Sequence, residues 1–348
     1  MRTSGPAARA RRSGMTYYPT TPREAERGTG IRVSRPYDGA DRAHELTPEL
    51  RAAADVVGAP AFVAPWLDRF YDAGDVDLLL AAADDSLDGV AEAELERGVR
   101  RAVLDRGADG AYSPADFHAR LEIWAMFEGW KDVPLAVHRQ LADWDVDAYA
   151  ERIRADVEAV RDGRSRDSYE ARYTYVLLDE ARTIVSAQDR IYLWPCDCRS
   201  IVGACRKLTH VCLRFENDRG LGWEISRERA LDILLSSDKA GLMHTADLRD
   251  DPAGSSAICN CCTNCCYPHL AAERLGTEDA WPVRRHLAHL DMDLCTSCGR
   301  CGLRCPFEAI VCSSSGRPTL DPARCPGCGL CATGCSADAI AMRPLKKA

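Results

Sequence analysis

Two runs near the C-terminus place thiols at one spacing. Cys295, Cys298, Cys301 and Cys305 form the first, followed by Pro306; Cys325, Cys328, Cys331 and Cys335 form the second. Both read C-x2-C-x2-C-x3-C. Three thiols at two-residue intervals sit on one tight loop, so their sulfurs can reach three corners of one metal–sulfur cube. The fourth lies three residues on, where the chain turns away. Zinc takes four thiolates per ion, commonly as two separated C-x2-C pairs. It gives no reason for a third cysteine at the same interval, twice. The spacing therefore points to iron–sulfur clusters and one-electron chemistry.

The repeat extends past the cysteines. Leu290-Asp291 precedes the first run as Leu320-Asp321 precedes the second, and Ala309-Ile310 follows as Ala339-Ile340 does. Each half is expected to form a short strand, a cluster loop, a helical turn and a second strand. Glycines 299, 302, 327, 329 and 334 allow tight turns and leave backbone N–H groups free to face cluster sulfur. Over roughly residues 286–345 the chain resembles the bacterial two-[4Fe–4S] ferredoxins. In that family the fourth cysteine of each run serves the other cluster. The resemblance thus implies Cys295, Cys298, Cys301 and Cys335 for one cluster, and Cys325, Cys328, Cys331 and Cys305 for the other. Ser336 departs from the family, which usually has proline after the fourth cysteine. Cys312 stands outside both runs and reads as a small buried apolar residue in a strand.

The elements around these loops belong to a chain of 348 residues, long enough for two or three domains. Eighteen cysteines call for disulfides or metal. No secretory signal is legible: the first residues are Arg-rich without an apolar core, and Arg11-Arg12 precede no apolar stretch. No run of about 18 apolar residues could span a membrane. The cytoplasm, where thiols stay reduced, is the expected location. A net charge of −8 argues against nucleic acid as a main partner. No dinucleotide, P-loop or flavin fingerprint is visible, so electrons are expected to come from, and go to, partner proteins.

Residues 1–45, rich in Arg, Gly, Pro, Ser and Thr, are expected to be a disordered tail. Residues 46–160 read as an acidic helical domain. Thr47-Pro48-Glu49 is a helix start with Thr as N-cap. Apolar residues follow from Phe62 to Leu80. Next come a short element near Leu87–Leu95 and a helix through Val99, Val103 and Leu104, ended by Gly107 and Gly110. This order is winged-helix-like, with Tyr112–Trp130 in place of the wing. A DNA-reading role would put Arg97, Arg100, Arg101 and Arg106 on the recognition helix. Residues 41–160, however, carry 26 Asp/Glu against 12 Lys/Arg, a surface that repels phosphate. Trp124, Phe127, Trp130 and Trp144 read as core. Residues 161–190 read as a charged linker followed by a helix around Tyr175–Ala187.

Nine further cysteines fall in residues 191–285, a Cys-rich central domain. Cys196, Cys198, Cys205 and Cys212 form one block; Cys259, Cys261, Cys262, Cys265 and Cys266 form the other. A helix capped by Ser226, with Ala230, Leu231, Ile233 and Leu234 on its apolar face, separates them. Over about residues 50–345 the pattern resembles an uncharacterised bacterial and archaeal family of iron–sulfur proteins with a C-x-C-R block, a Gly-Leu-Met/Val-His-like segment and an I-C-N-C-C block. The matching residues are Cys196 to Arg199, Gly241 to His244 and Ile258 to Cys262. The resemblance implies electron transfer and no particular reaction. The nine thiols admit three uses: one or two further iron–sulfur clusters built by both blocks together, a structural zinc site using Cys198, Cys205 and a pair from the second block, or a dithiol/disulfide centre. Arg199 reads either as a hydrogen-bond donor to a cluster sulfur or as an exposed helix residue. His244 reads as a satisfied core or surface histidine.

The sequence thus predicts an α+β protein: a winged-helix-like helical domain, a Cys-rich central domain, and a ferredoxin-like β-α-β repeat with two clusters in residues 286–348. Its expected role is single-electron transfer at low potential between redox partner proteins, without nucleic acid or a membrane span. A reductase with a catalytic central cluster and a redox-sensing winged-helix regulator are the alternatives.

Overall fold

The computed structural model describes residues 46–128, 133–164, 168–203 and 205–345. The expected N-terminal tail, Trp130 and part of the charged linker lie outside them. The described residues begin with the helices Pro48–Val57, Ala73–Ala83 and Glu92–Arg100, the short helical segments Ala61–Trp66 and Leu67–Phe70 lying between the first two. Thr47 Oγ1 accepts from Leu50 N at 3.3 Å and caps the first as expected. Asp72 and Asp75 form a reciprocal capping box on the second. The third helix ends at Arg100, short of Val103 and Leu104. Ala102 there takes a left-handed conformation (φ 53°), and a β-hairpin follows, β1 (Leu104–Arg106) with β2 (Tyr112–Pro114). Gly107 and Gly110 thus belong to the hairpin turn rather than to a helix end. The wing-like element is residues 104–114, not Tyr112–Trp130, because Asp116 caps a new helix, Phe117–Ile123.

Buried ion pairs hold these helices together. Arg120 is fully buried and donates to Phe70 O at 2.7 Å, Arg101 O at 2.9 Å and Glu128 Oε1 at 3.0 Å. Arg101 also binds Glu128, at 2.9 Å, and Asp75, at 2.7 Å. Burial alone would push the Glu128 carboxyl up. The Arg120 and Arg101 guanidinium groups outweigh it and hold the group below its usual range. Phe70 packs on Trp124 (centroids 4.3 Å apart) and Phe117 (5.1 Å) above this network. Trp124 and Phe127 are core as expected, and Trp144 is partly buried against them.

The centre of the molecule is a six-stranded antiparallel sheet, ordered β3-β7-β8-β5-β4-β6. Its strands are β3 (Tyr173–Val176), β4 (Tyr192–Pro195), β5 (His210–Arg214), β6 (Trp223–Glu224), β7 (Met243–Asp247) and β8 (Ala257–Cys261). The expected helix at Tyr175–Ala187 begins only at Leu178: the alternating Tyr173, Thr174, Tyr175 and Val176 are buried on both faces as an edge strand. One face carries the helices Leu178–Ser186 and Arg227–Lys239. The latter is the expected separator, and Ser226 Oγ accepts from Arg229 N at 3.2 Å. The long helix Leu135–Arg161 and the helix Tyr267–Leu275 pack on each other and share a buried cluster with Tyr173 of β3. The hydrophobic core runs continuously from Ala53 in the first helix to Tyr267 beyond the sheet. Arg219 ties the sheet to the hairpin through Val99 O (2.6 Å) and Asp105 (2.5 Å).

The C-terminal segment has the expected pseudo-symmetry. β9 (His286–Leu290) pairs with β12 (Ile340–Pro344), and β10 (Ile310–Cys312) with β11 (Pro318–Leu320), all antiparallel. Each half carries one short helix, Arg300–Arg304 or Leu330–Thr333. Asp291 N donates to Ala339 O and Asp321 N to Ala309 O, one half bonding the other reciprocally. Ser336 leaves the second turn like the first: Glu308 and Asp338 share φ 51°, and Ala309 N and Ala339 N each donate to the preceding fourth-cysteine Sγ at 3.3 Å. Gly327 is required at its place. Its φ is 85°, and a Cβ would fall 2.2 Å from His286 O.

Replacing Arg120 with Ala leaves Glu128 in the core with Arg101 as its remaining guanidinium partner. We expect a loss of about 3 kcal/mol in urea unfolding followed by tryptophan fluorescence. The folded carboxyl is depressed, so its contribution is present above the unfolded range and lost as pH falls through the lowered value. The variant should flatten this acid limb.

Candidate metal centres

The repeat brings its predicted ligands together in two crossed sets. Cys295, Cys298 and Cys301 line one pocket with Cys335 from the other half, alongside Leu290, Pro318 and Ile340. Cys325, Cys328, Cys331 and Cys305 are electrostatic neighbours in the second set. Burial, then the charges of Cys325 and Cys305, push the Cys331 thiol up to about 12. Bare thiolates are therefore costly here, and a metal centre would relieve that cost. Backbone N–H groups reach sulfur at Cys295 (from Ser297, 3.4 Å), Cys305 and Cys335. Such donors suit anionic sulfur, and the residues fit a cluster in each set. Cys298 is exposed, whereas Cys325 and Cys331 are buried. Cys312 is only partly buried. Its Sγ lies 3.9 Å from Cys301 Sγ and bonds Gly299 O at 3.7 Å, so it supports the first loop as well as filling space.

The nine central cysteines divide six and three. Adjacent strands β5 and β8 bring the blocks together, Leu213 lying opposite Ile258. Strand alternation turns Cys259 and Cys261 to one face of β8 and Asn260 to the other. On the first face the thiols lie against one another in series: Cys198 with Cys196, Cys196 with Cys212, Cys212 with Cys259, Cys259 with Cys261, Cys261 with Cys266. Cys266 is in turn near Cys198, which closes the ring. All six line one cavity of about 450 Å³, with Tyr149, Tyr169, Tyr173, Tyr267, Arg152 and Arg214. Cys205, Cys262 and Cys265 form a separate group, their sulfurs mutually within 4.8 Å.

Arg199 stands between the two groups. It is buried, so it is not an exposed helix residue. Its guanidinium bonds Leu208 O and Asn260 O and lies against the Cys262 thiol, with the charges of Cys196, Cys212 and Cys261 around it. His244 is buried on the opposite face of β7, with Nδ1 2.6 Å from Asn260 Oδ1. Asn260 donates in turn to Val211 O at 2.5 Å, so His244 helps hold three strands in register.

Several residues here escaped the sequence reading. Tyr173 Oη lies 2.6 Å from Thr245 Oγ1, and that hydroxyl lies 3.5 Å from Cys261 Sγ. Tyr175 lies between Cys328 and the pair Cys261 and Cys266, in one buried cluster with Met243 and Leu330. Phe307 meets it edge-on at 5.7 Å. The period-two Tyr-Thr-Tyr pattern was the available signal. Arg304 makes the junction between modules, reaching across Gly334 to Leu330 O (2.7 Å) and Asp238 (2.9 and 3.1 Å).

Residues 288–311 match the family described as a 4Fe-4S binding domain. The C-terminal segment is thus an iron–sulfur module of ferredoxin type, with at least one [4Fe–4S] cluster. No curated protein and no solved structure matches the chain. Among the described residues, no helix is long and apolar enough to cross a membrane.

Thr245→Val removes the hydroxyl beside Cys261. Hydrogen bonds to cluster sulfur raise the reduction potential. We expect a lower potential for a central signal in an EPR-monitored redox titration, at unchanged iron content.

Proposed function

We propose that the chain is an iron–sulfur electron-transfer protein that conducts single electrons between a redox partner at its surface and the six-thiol cavity inside. The two crossed ferredoxin sets would each hold a [4Fe–4S] cluster, and Cys196, Cys198, Cys212, Cys259, Cys261 and Cys266 would hold further iron–sulfur centres. Such centres supply one-electron acceptors that need little rearrangement. The observation that carries the reading is the buried layer of Tyr175, Met243 and Leu330. Cys261 and Cys266 belong to the same buried cluster, and Cys328 packs against it. At the other end, exposed Cys298 lies in the same module as Leu294 and Leu303, the latter 91% exposed. This apolar rim beside a cluster loop suits a redox protein as partner. Reduced thiols in this number suit the cytoplasm.

The cavity itself favours a second reading, a reductase acting at the central thiols. Its Tyr149, Tyr169, Arg152 and Arg214 walls leave space beyond the sulfurs. A DNA-reading regulator built on the helical segments and the hairpin β1–β2 has less support. Arg97 and Arg101 are paired with Asp72, Asp75 and Glu128, and Arg106 stacks on Tyr112.

Iron and acid-labile sulfide counted on anaerobically purified protein test the proposal. We expect about 12 or 16 iron per chain, since each cube takes four. About 8 would confine clusters to the repeat, and two or fewer with zinc filling the sites would overturn the proposal. Tyr175→Ala should slow electron exchange between the repeat and the central centres in freeze-quench EPR, with iron content kept. Tyr175→Phe should retain the rate.

A further inference from the structure

The three cysteines set apart from the cavity call for a different metal. We propose that Cys205, Cys262 and Cys265 bind a single thiophilic divalent ion of the zinc class, separate from every iron–sulfur set. Thiolates on one ion, with metal–sulfur bonds of about 2.3 Å, lie close together. Thiolates on a cube lie further apart, because each extends outward from its own iron corner. The protein supplies its own ruler. Among the described residues, the all-cysteine group of three with sulfurs mutually within 4.8 Å is this one; the other close group, Cys196, Asp197 and Cys198, includes a carboxylate, the six cavity thiols meet in pairs along their ring and not as a mutual trio, and neither ferredoxin set is grouped at that distance.

Local structure favours the same reading. Cys262 and Cys265 are a C-x2-C pair on the turn that enters the helix Tyr267–Leu275, so their side chains converge on one point. Both are buried, and Cys205 closes the group from the loop after the helix Asp197–Val202. Three thiolates on a divalent ion leave one negative charge. The Arg199 guanidinium against Cys262 balances it in the interior. Cys205 is only partly buried, so the fourth position opens on its side, where water or an external donor can complete a tetrahedron. The site would clamp the start of that helix, and with it Cys266, against the loop that follows Arg199.

Zinc-edge X-ray absorption and metal analysis of the full chain, purified anaerobically and dialysed against EDTA, test the proposal. We expect one zinc per chain beside the iron, with a shell of three sulfurs at about 2.3 Å. Cys205→Ala should lower bound zinc roughly tenfold or more and leave iron unchanged. A fall of three or four iron in that variant would show a cluster instead. A Cys262–Cys265 disulfide in non-reducing peptide mapping, without zinc, would show a redox pair. Either result overturns the proposal, and so does wild-type protein lacking the three-sulfur shell, which decides the matter even if the variant fails to fold. The iron count tests the electron-transfer reading separately.

Discussion

The interior depends on one guanidinium. Arg199 leaves the end of its helix buried, joins Leu208 O to Asn260 O, and meets the Cys262 thiol. Those contacts draw together the first cysteine block, the loop behind it and β8. Nine thiols cannot gather in a low-dielectric space as anions without compensating charge. Arg199 supplies one such charge, against Cys262 and near Cys196, Cys212 and Cys261. The Asn260 side chain answers from the other face of β8, holding His244 and the Val211 carbonyl. Strand register, sulfur geometry and charge balance are therefore one arrangement, and disturbing any of them disturbs the others.

The acidity of the N-terminal helices has a comparable explanation. Counted along the chain, their carboxylates look like a surface that repels phosphate. In the fold, several point inward: Asp75 and Glu128 are buried and share Arg97, Arg101 and Arg120 between them. Of the arginines that read as candidates for nucleic acid, Arg97 and Arg101 are spent on this network. What the composition presented as a surface property is in part a packing device.

The sequence disclosed what local spacing encodes. The two cysteine runs, the paired halves of the repeat, the Thr47 and Ser226 caps and the separating helix were all legible, because each is written within a few residues. The six-and-three division of the central cysteines was not. It arises where β5 lies beside β8, residues far apart in sequence, and strand alternation then sends Cys261 and Cys262 to different groups. Tyr175 and Val176 were read into the following helix because a four-residue strand is too short for its period-two pattern to stand out. The hairpin at 104–114 was hidden by Ala102, whose left-handed backbone no composition rule announces. Arg199 was ambiguous because a C-x-C-R run does not say whether its last residue turns in or out.

Arg304 and Gly334 occupy equivalent places in the two cysteine runs, and the difference between them reaches beyond packing. A module built from two like halves has no front or back of its own. The long side chain of one half lies across the bare backbone of the other and grips Asp238. That single unlike pair fixes which loop is turned inward and which is left facing solvent. The repeat, nearly symmetric in its own fold, thereby acquires a polarity: one half is tied to the helix that carries Asp238, and the other is not held there by an equivalent side chain.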